Sequence, residues 1–497
     1  METPIADFVS AYLQSGVSRL HMPGHKGRGP LGCEQLDITE IAGADALYQA
    51  DGIIARSERN AAALFGTAAT FYSTEGASQC IRAMLYLSML HAPSGGERPV
   101  IIAARNAHQS FVLAAALLDV EIVWLWPEDA SFSLCRCSVS SRQLEEVLKR
   151  LSRPPVAVYL TAPDYLGNTP DIAALAETAH RFGVPLVVDG AHGAYLKFLP
   201  HSVHPIDLGA DLCCDSAHKT LPVLTGGAYL HVSRQAPADF IENGKRALAL
   251  FGSTSPSYLI LQSLDLANRH LAEAYPSRLA ACAARMENLR ASLRDNGWNI
   301  AESDPMKLTF AAAESGWDGK ELAALLRQGK VECEYADPDF TVLMATPENA
   351  EQDFTRILSA LGRNSRKKPL LRCCPTLVPL ETVCSPRKAA FAPSESVPAS
   401  LAAGRILAAP TVGCPPAVPV AVGGERISQS AVEVFAYYGI SSVEVIRERR
   451  TSLPISVMAV PHCGHPSLLS GRRCSTTSTG TFFGRISATL AARFFLV

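Results

Sequence analysis

The chain has 497 residues, 48% of them hydrophobic, with 45 Lys plus Arg against 47 Asp plus Glu and a formal net charge of −2. A chain of this length implies roughly three domains with substantial cores. Its near-neutral balance excludes the overall field that would gather nucleic acid or an anionic membrane, so a small molecule is the expected partner.

The first residues, Met1-Glu2-Thr3-Pro4-Ile5-Ala6-Asp7, carry acids where a signal peptide carries bases. The most apolar stretch, 111–126, is interrupted by Asp119 and Glu121 before it could span a bilayer. A cytoplasmic protein is expected. The 14 cysteines occur as singles or close neighbours, among them Cys213-Cys214 and Cys373-Cys374, with no C-x-x-C pair and no His/Cys cluster at zinc spacing. Reduced, mostly buried thiols and no metal are therefore expected.

After an N-terminal segment, 1–60, strand-like and helix-like patterns alternate through a first unit, 61–245. The strand-like runs are 100–103, 121–126, 156–160, 186–188 and 211–214, and helical runs such as 79–90 and 171–182 lie between them. That alternation predicts a mostly parallel sheet wrapped in helices, with ligands beyond the carboxyl ends of its strands. A small α/β unit follows over 246–363, from a helical run at 278–298, short strands at 308–310 and 340–344, and helices at 319–328 and 349–361. The Pro, Ser, Arg and Lys of 364–385 mark a linker, and ordered character resumes over 386–450 with a helix at 431–438. The last stretch, 451–497, has four arginines, no acid and a Ser/Thr/Gly-rich middle, and is expected to be poorly ordered.

The chemistry concentrates at the ends of the predicted strands. Pro185-Leu186-Val187-Val188-Asp189 ends a buried strand on an acid, and Lys219 follows the apolar run Leu212-Cys213-Cys214 within Ser216-Ala217-His218-Lys219-Thr220. Most lysines are solvated surface charges. One held in apolar surroundings is instead a nucleophilic amine. An amine and a carboxylate so placed suit pyridoxal phosphate, whose aldehyde the lysine would take as a Schiff base and whose pyridine nitrogen the aspartate would keep protonated. Ser73-Thr74-Glu75-Gly76-Ala77-Ser78 precedes a helical run, which fits either an ordinary N-cap or a phosphate held at a helix N-terminus. His108, on a loop after the strand at 100–103, and His192 could each be structural hydrogen-bonding groups; His108 could instead stack on the pyridine ring.

Five motifs in order carry a family resemblance: His21-Met22-Pro23-Gly24-His25-Lys26-Gly27, Arg105-Asn106-Ala107-His108-Gln109-Ser110, Asp189-Gly190-Ala191-His192-Gly193-Ala194, Ser216-Ala217-His218-Lys219-Thr220-Leu221 and Thr254-Ser255-Pro256-Ser257-Tyr258. With Ala403-Gly404-Arg405-Ile406, Cys414-Pro415-Pro416-Ala417-Val418-Pro419 and Gly424-Glu425-Arg426-Ile427, the sequence resembles the Orn/Lys/Arg decarboxylase family over about 5–446, in a short form without the N-terminal wing domain. The resemblance implies an α/β, fold-type-I, aspartate-aminotransferase-like large domain that binds pyridoxal 5'-phosphate, a small α/β domain and a C-terminal α+β decarboxylase domain. Lys219 is then the Schiff-base lysine, Asp189 the partner of the pyridine nitrogen and His108 the ring-stacking residue. Gly76, Ala77, Ser78, Ala191, Ser216 and His218 surround the cofactor, while Thr254 and Ser255 reach the phosphate of a neighbouring subunit in a homodimer. Glu425 is a candidate for the rim, facing the substrate's distal cation, with a surface salt bridge to Arg426 or Arg405 as the alternative. Gly190 stands where the family has glutamate, Ala77 where it has threonine, and Thr225-Gly226-Gly227-Ala228 where it has a Thr-Gln-Ala-Ser-like run.

The implied activity is decarboxylation of arginine, lysine or ornithine to carbon dioxide and a polyamine precursor, with Lys219 or His218 returning the proton to the α-carbon. An aminotransferase or aldolase reaction would share Lys219 and Asp189 without an evident use for the C-terminal motifs. A non-catalytic relative that binds the cofactor is the other alternative.

Overall fold

The structure, a computed structural model, describes residues 1–448 except 93–94, 129–132, 363–366, 373 and 413–415. The expected poorly ordered tail, 451–497, lies outside the described residues, as do the first residues of the linker and Cys373, Cys414 and Pro415.

Seven strands form the central sheet: β1 (Ala69–Ser73), β2 (Val100–Ala104), β3 (Glu121–Leu125), β4 (Ala157–Thr161), β5 (Leu186–Asp189), β6 (Leu212–Asp215) and β7 (Ala228–Val232), in the order β1-β7-β6-β5-β4-β2-β3. β2 to β6 run parallel, and β7 is antiparallel to both of its neighbours. β2, β5, β6 and β7 are buried along their whole length, as strands covered on both faces must be. On one face Cys80, Met84 and Leu87 of the helix Gly76–His91 pack with Phe111 and Phe240. On the other, Leu144 and Leu148 of the helix Ser141–Arg150 meet Leu175 and Ala179 of the helix Ile172–Arg181. Each fully buried Leu or Phe contributes about 1.5–3 kcal/mol. Short polar caps start these covering helices: Ser140 Oγ accepts from Gln143 N–H at 3.2 Å and Asp171 Oδ1 from Ala174 N–H at 3.0 Å.

β7 departs from the parallel pattern that the sequence predicts for this unit. The connection from β6 contains only the one-turn helix Ala217–Thr220 and the tight stretch Thr225-Gly226-Gly227. A parallel return is usually carried by a helix laid across the sheet, and with only one helical turn here the chain doubles back beside the strand it has just left.

Two long helices, Tyr258–Glu273 and Tyr275–Asp295, lead to a three-stranded antiparallel sheet of β8 (Lys307–Ala311), β9 (Tyr335–Ala336) and β10 (Phe340–Met344), ordered β8-β10-β9. The helices Gly319–Gln328 and Glu351–Leu361 cover it, and Trp298, Phe310, Leu326 and Phe354 fill the space between. Beyond the linker, β11 (Ser394–Pro398) pairs with β14 (Ser442–Ile446), and β12 (Thr411–Val412) with β13 (Pro419–Ala421). Val434 and Phe435 of the helix Gln429–Tyr438 seal these strands together with Leu134, which comes from the edge of the large sheet. Among the described residues no helix is long and apolar enough to cross a membrane.

Candidate active site

Parallel pairing brings the ends of β4, β5 and β6 level. Thr161 stands beside Asp189, and Asp189 beside Cys214. A cavity of about 230 Å³ opens at this edge, and Ser78, His108, Asp189, His192, His218 and Lys219 line it. A larger depression, about 440 Å³, lies on the small α/β part against β10 and contains neither Asp189 nor Lys219.

Asp189 is 2% exposed. Its Oδ2 accepts from the Tyr159 hydroxyl and its Oδ1 from Ala191 N–H, each at 3.1 Å. Two donors on separate elements fix the carboxylate at the floor of the cavity. Lys219 is half-buried on the one-turn helix, its Nζ 3.0 Å from His192 Nε2 and 5.8 Å from the centroid of the Tyr165 ring. Burial lowers the pKa of its amine, and the Asp189 and Glu334 carboxylates act against that fall. An ammonium only donates, so His192 accepts at Nε2 and carries its proton on Nδ1. Burial, followed by the Lys219 charge, holds the His192 ring well below the usual imidazole range and therefore neutral. His192, which the sequence offers only as a possible backbone partner, thus contacts the amine directly. The usable signal was its place three residues beyond the end of β5.

The other wall starts the helix Gly76–His91, so Gly76, Ala77 and Ser78 face the cavity opposite Ser216 and His218. Ser78 Oγ lies 2.8 Å from Ser110 Oγ. His108 caps the next helix by accepting from Ser110 N–H at Nδ1, 3.1 Å, which leaves its proton on Nε2. Burial lowers the His108 pKa as well. His218 Nδ1 lies 3.0 Å from the Gly227 carbonyl and must donate to it. Three lining residues hold buried polar atoms that meet no hydrogen-bond partner among the described residues: Asn106 Oδ1, Thr161 Oγ1 and His192 Nδ1. A polar guest is what such atoms require. Pyridoxal phosphate fits this set: Lys219 would meet the aldehyde, Asp189 the ring nitrogen, and the helix start with Ser78, Ser216 and His218 the phosphate.

Two departures from the family pattern have physical causes. A Cβ on Gly190 would lie 2.7 Å from Asp215 Oδ1 and 2.9 Å from Cys213 Sγ, so no glutamate fits there. Asp215 fills that volume, and its Oδ2 accepts from His204 Nε2 at 2.9 Å and His231 Nε2 at 3.1 Å, all three side chains fully buried. Gly226 has φ +99°, and a Cβ there would come within 2.8 Å of the Thr74 carbonyl oxygen. The close approach lets Gly76 N–H donate to the Gly226 carbonyl at 2.8 Å and anchors the start of the helix Gly76–His91 to the chain entering β7.

Three expected site residues lie elsewhere. Glu425, expected at the rim, is 4% exposed and does not line the cavity. Its Oε2 accepts from Val422 N–H at 2.7 Å and faces Arg105 Nη2 at 4.0 Å. Arg105 also donates to the carbonyls of Pro419, 2.8 Å, and Val420, 2.9 Å, and its guanidinium lies over Trp124 and Trp126. The pair ties the large sheet to the C-terminal strands, a long-range contact that no local motif discloses. Thr254 and Ser255 are exposed and stand outside the cavity of their own chain.

Comparison with known proteins gives the family and the fold. The family description "Orn/Lys/Arg decarboxylase, major domain" matches residues 3–324. The chain is 28% identical over 465 residues to the Bacillus subtilis protein named "Uncharacterized protein YaaO", covering 87% of this chain and 93% of that one. It is also 28% identical over 475 residues to a Bacillus subtilis protein named arginine decarboxylase, covering 87% and 92%. Among solved structures, the constitutive lysine decarboxylase of E. coli superposes with a TM-score of 0.70 at 18% identity over 90% of this chain and 82% of that one, which shows a shared fold. Because the family match runs through well over half of the sequence, the chain belongs to the Orn/Lys/Arg decarboxylase family, whose enzymes depend on pyridoxal 5'-phosphate.

Proposed function

We propose that the protein decarboxylates a basic amino acid, with arginine the first candidate because a relative aligned over 87% of the chain carries that name. The observation that carries this reading is the half-buried Lys219 amine sharing one cavity with the fixed Asp189 carboxylate. Pyridoxal phosphate, when bound, supplies the electron sink that lets the α-carboxylate leave as carbon dioxide. Lys219 would hold the cofactor at its aldehyde. Asp189, braced by Tyr159 and Ala191, keeps a positive ring nitrogen in place. His108 shapes one side of the cavity, and His192 orients the Lys219 amine.

Lys219 is the better source of the proton returned to the α-carbon. His218 commits its Nδ1–H to the Gly227 carbonyl, and burial lowers its pKa, so the neutral ring has no second proton to give. We also propose a cytoplasmic homodimer. The exposed Thr254 and Ser255 support it as groups available to a neighbour's phosphate, and the described cysteines, which form no disulfide, suit a reducing compartment.

The test is release of carbon dioxide from arginine, lysine and ornithine, with the amine product identified, together with borohydride reduction and peptide mapping of the yellow protein. The expected result is one strongly preferred substrate and a pyridoxyl label on Lys219. Label on another residue overturns the assignment of Lys219; a labelled Lys219 without carbon dioxide release favours another reaction of the same cofactor.

A further inference from the structure

A basic amino acid brings a cation into the cavity, and Glu425, sealed against Arg105, is not there to meet it. Glu334 also stands outside that cavity, on the wall of the larger depression against β10, but it is joined to the cavity through Tyr165. It is an exposed residue immediately before β9, and its N–H donates to the Val342 carbonyl at 3.0 Å, so its stem is fixed to the small sheet. Its Oε1 accepts from the Tyr165 hydroxyl at 3.2 Å. Tyr165 lines the cavity, and its ring centroid lies 4.5 Å from that of His192 and 5.8 Å from Lys219 Nζ. The carboxylate is therefore held at the hydroxyl of a side chain whose ring lies under the Lys219 amine. Its field reaches that amine, since Glu334 favours the charged form of Lys219.

The remaining acids at the cavity are committed. Asp189 serves the ring nitrogen. Asp164 accepts at Oδ1 from the N–H groups of Leu166 and Asn168, both at 2.9 Å, and at Oδ2 from Asn168 Nδ2 at 3.0 Å. Burial, only partly offset by these bonds, pushes Asp164 up to about 6. A carboxylate accepts at several lone pairs, so Glu334 can hold the Tyr165 hydroxyl and still bind an ammonium or guanidinium.

We propose that Glu334 recognises the distal cation of the substrate and that Tyr165 positions its carboxylate. This rests on the decarboxylation of a basic amino acid proposed above. Glu334→Gln keeps the shape and removes the charge; with the preferred substrate, KM should rise about tenfold to a hundredfold, the range for one charged hydrogen bond, with a much smaller change in kcat. Inhibition by norleucine, which keeps the chain but lacks the cation, should not change. Borohydride labelling of Lys219 should not change either. Glu332→Gln is the control: Glu332 lies on the same exposed segment, two residues away, paired with Arg327 at 2.7 Å, and its loss should leave KM within twofold. An unchanged KM in Glu334→Gln overturns this inference alone, as does equal weakening of norleucine, which would mark a general structural effect. If the unsubstituted enzyme releases carbon dioxide from none of the three amino acids, the proposed function fails and this inference with it.

Discussion

Asp189 and Glu425 are both buried carboxylates in short motifs of the same family, yet they sit in different surroundings. At the strand ends of the large sheet, Asp189 has two protein donors and an open cavity beside it, lined by polar atoms without partners. At the seam with the C-terminal strands, Glu425 faces Val422 N–H and Arg105, and Arg105 is itself held by two carbonyls and two indole rings. Burial alone does not distinguish a reactive acid from a strut. What distinguishes them is room for a ligand: the cavity opens beside Asp189, whereas Glu425 lies outside it and is packed against Arg105.

That contrast breaks most readily at Asp189. Asp189→Asn should lower kcat on the order of a thousandfold, because a neutral amide no longer stabilises a charged ring nitrogen in a desolvated site. Borohydride should still label Lys219 in this variant. Turnover near that of the unsubstituted enzyme would remove Asp189 from the chemistry.

Glu425→Gln should do the reverse, leaving kcat and KM alone while lowering stability by about 3 kcal/mol, since Arg105 is then a buried charge without its counter-ion. Urea unfolding and steady-state kinetics on one preparation separate the two outcomes. A raised KM at unchanged stability would return Glu425 to the substrate.

The smallest effect sharpens the comparison with a third buried cluster, His204, Asp215 and His231. Burial lowers the His231 pKa below its ordinary 6.5, and the Asp215 carboxylate offsets this only in part. Below that pH the unfolded ring takes a proton that the folded ring refuses, so this contribution to stability is complete above about pH 6.5 and is lost as pH falls. The slope from one such group is at most about 1.4 kcal/mol per pH unit. His231→Gln should therefore have a urea midpoint that falls less between neutral and mildly acid pH than that of the unsubstituted protein; equal slopes would exclude His231 as a source of acid sensitivity.

Much of the large sheet is legible from local pattern. The runs at 100–103 and 186–188 lie within β2 and β5, because strands buried on both faces are continuous apolar segments bounded by polar turns. The run at 121–126 almost coincides with β3, a half-buried edge strand. Asp189 and Lys219 stand out for the same reason, as charges placed just past such runs. β7 is not among the predicted runs, and its direction depends on a connection that carries only one helical turn. The contact of His192 with Lys219, the pairing of Arg105 with Glu425 and the reach of Tyr165 to Glu334 join residues from 27 to 320 positions apart. Nothing periodic in a sequence marks such meetings, which arise only after the layers have packed.

The place of β7 between β1 and β6 also sets an order of events during synthesis. β1 pairs with β7 and with no earlier strand, so Ala69–Ser73 leaves the ribosome with its edge partner still about 150 residues away, a wait on the order of ten to thirty seconds at ~5–20 residues per second. Through that interval Phe71 and Tyr72 belong to a strand that can pair with any passing edge. The nascent chain is therefore most in need of a chaperone before residue 228 emerges, and slowing translation upstream of β7 should increase aggregation.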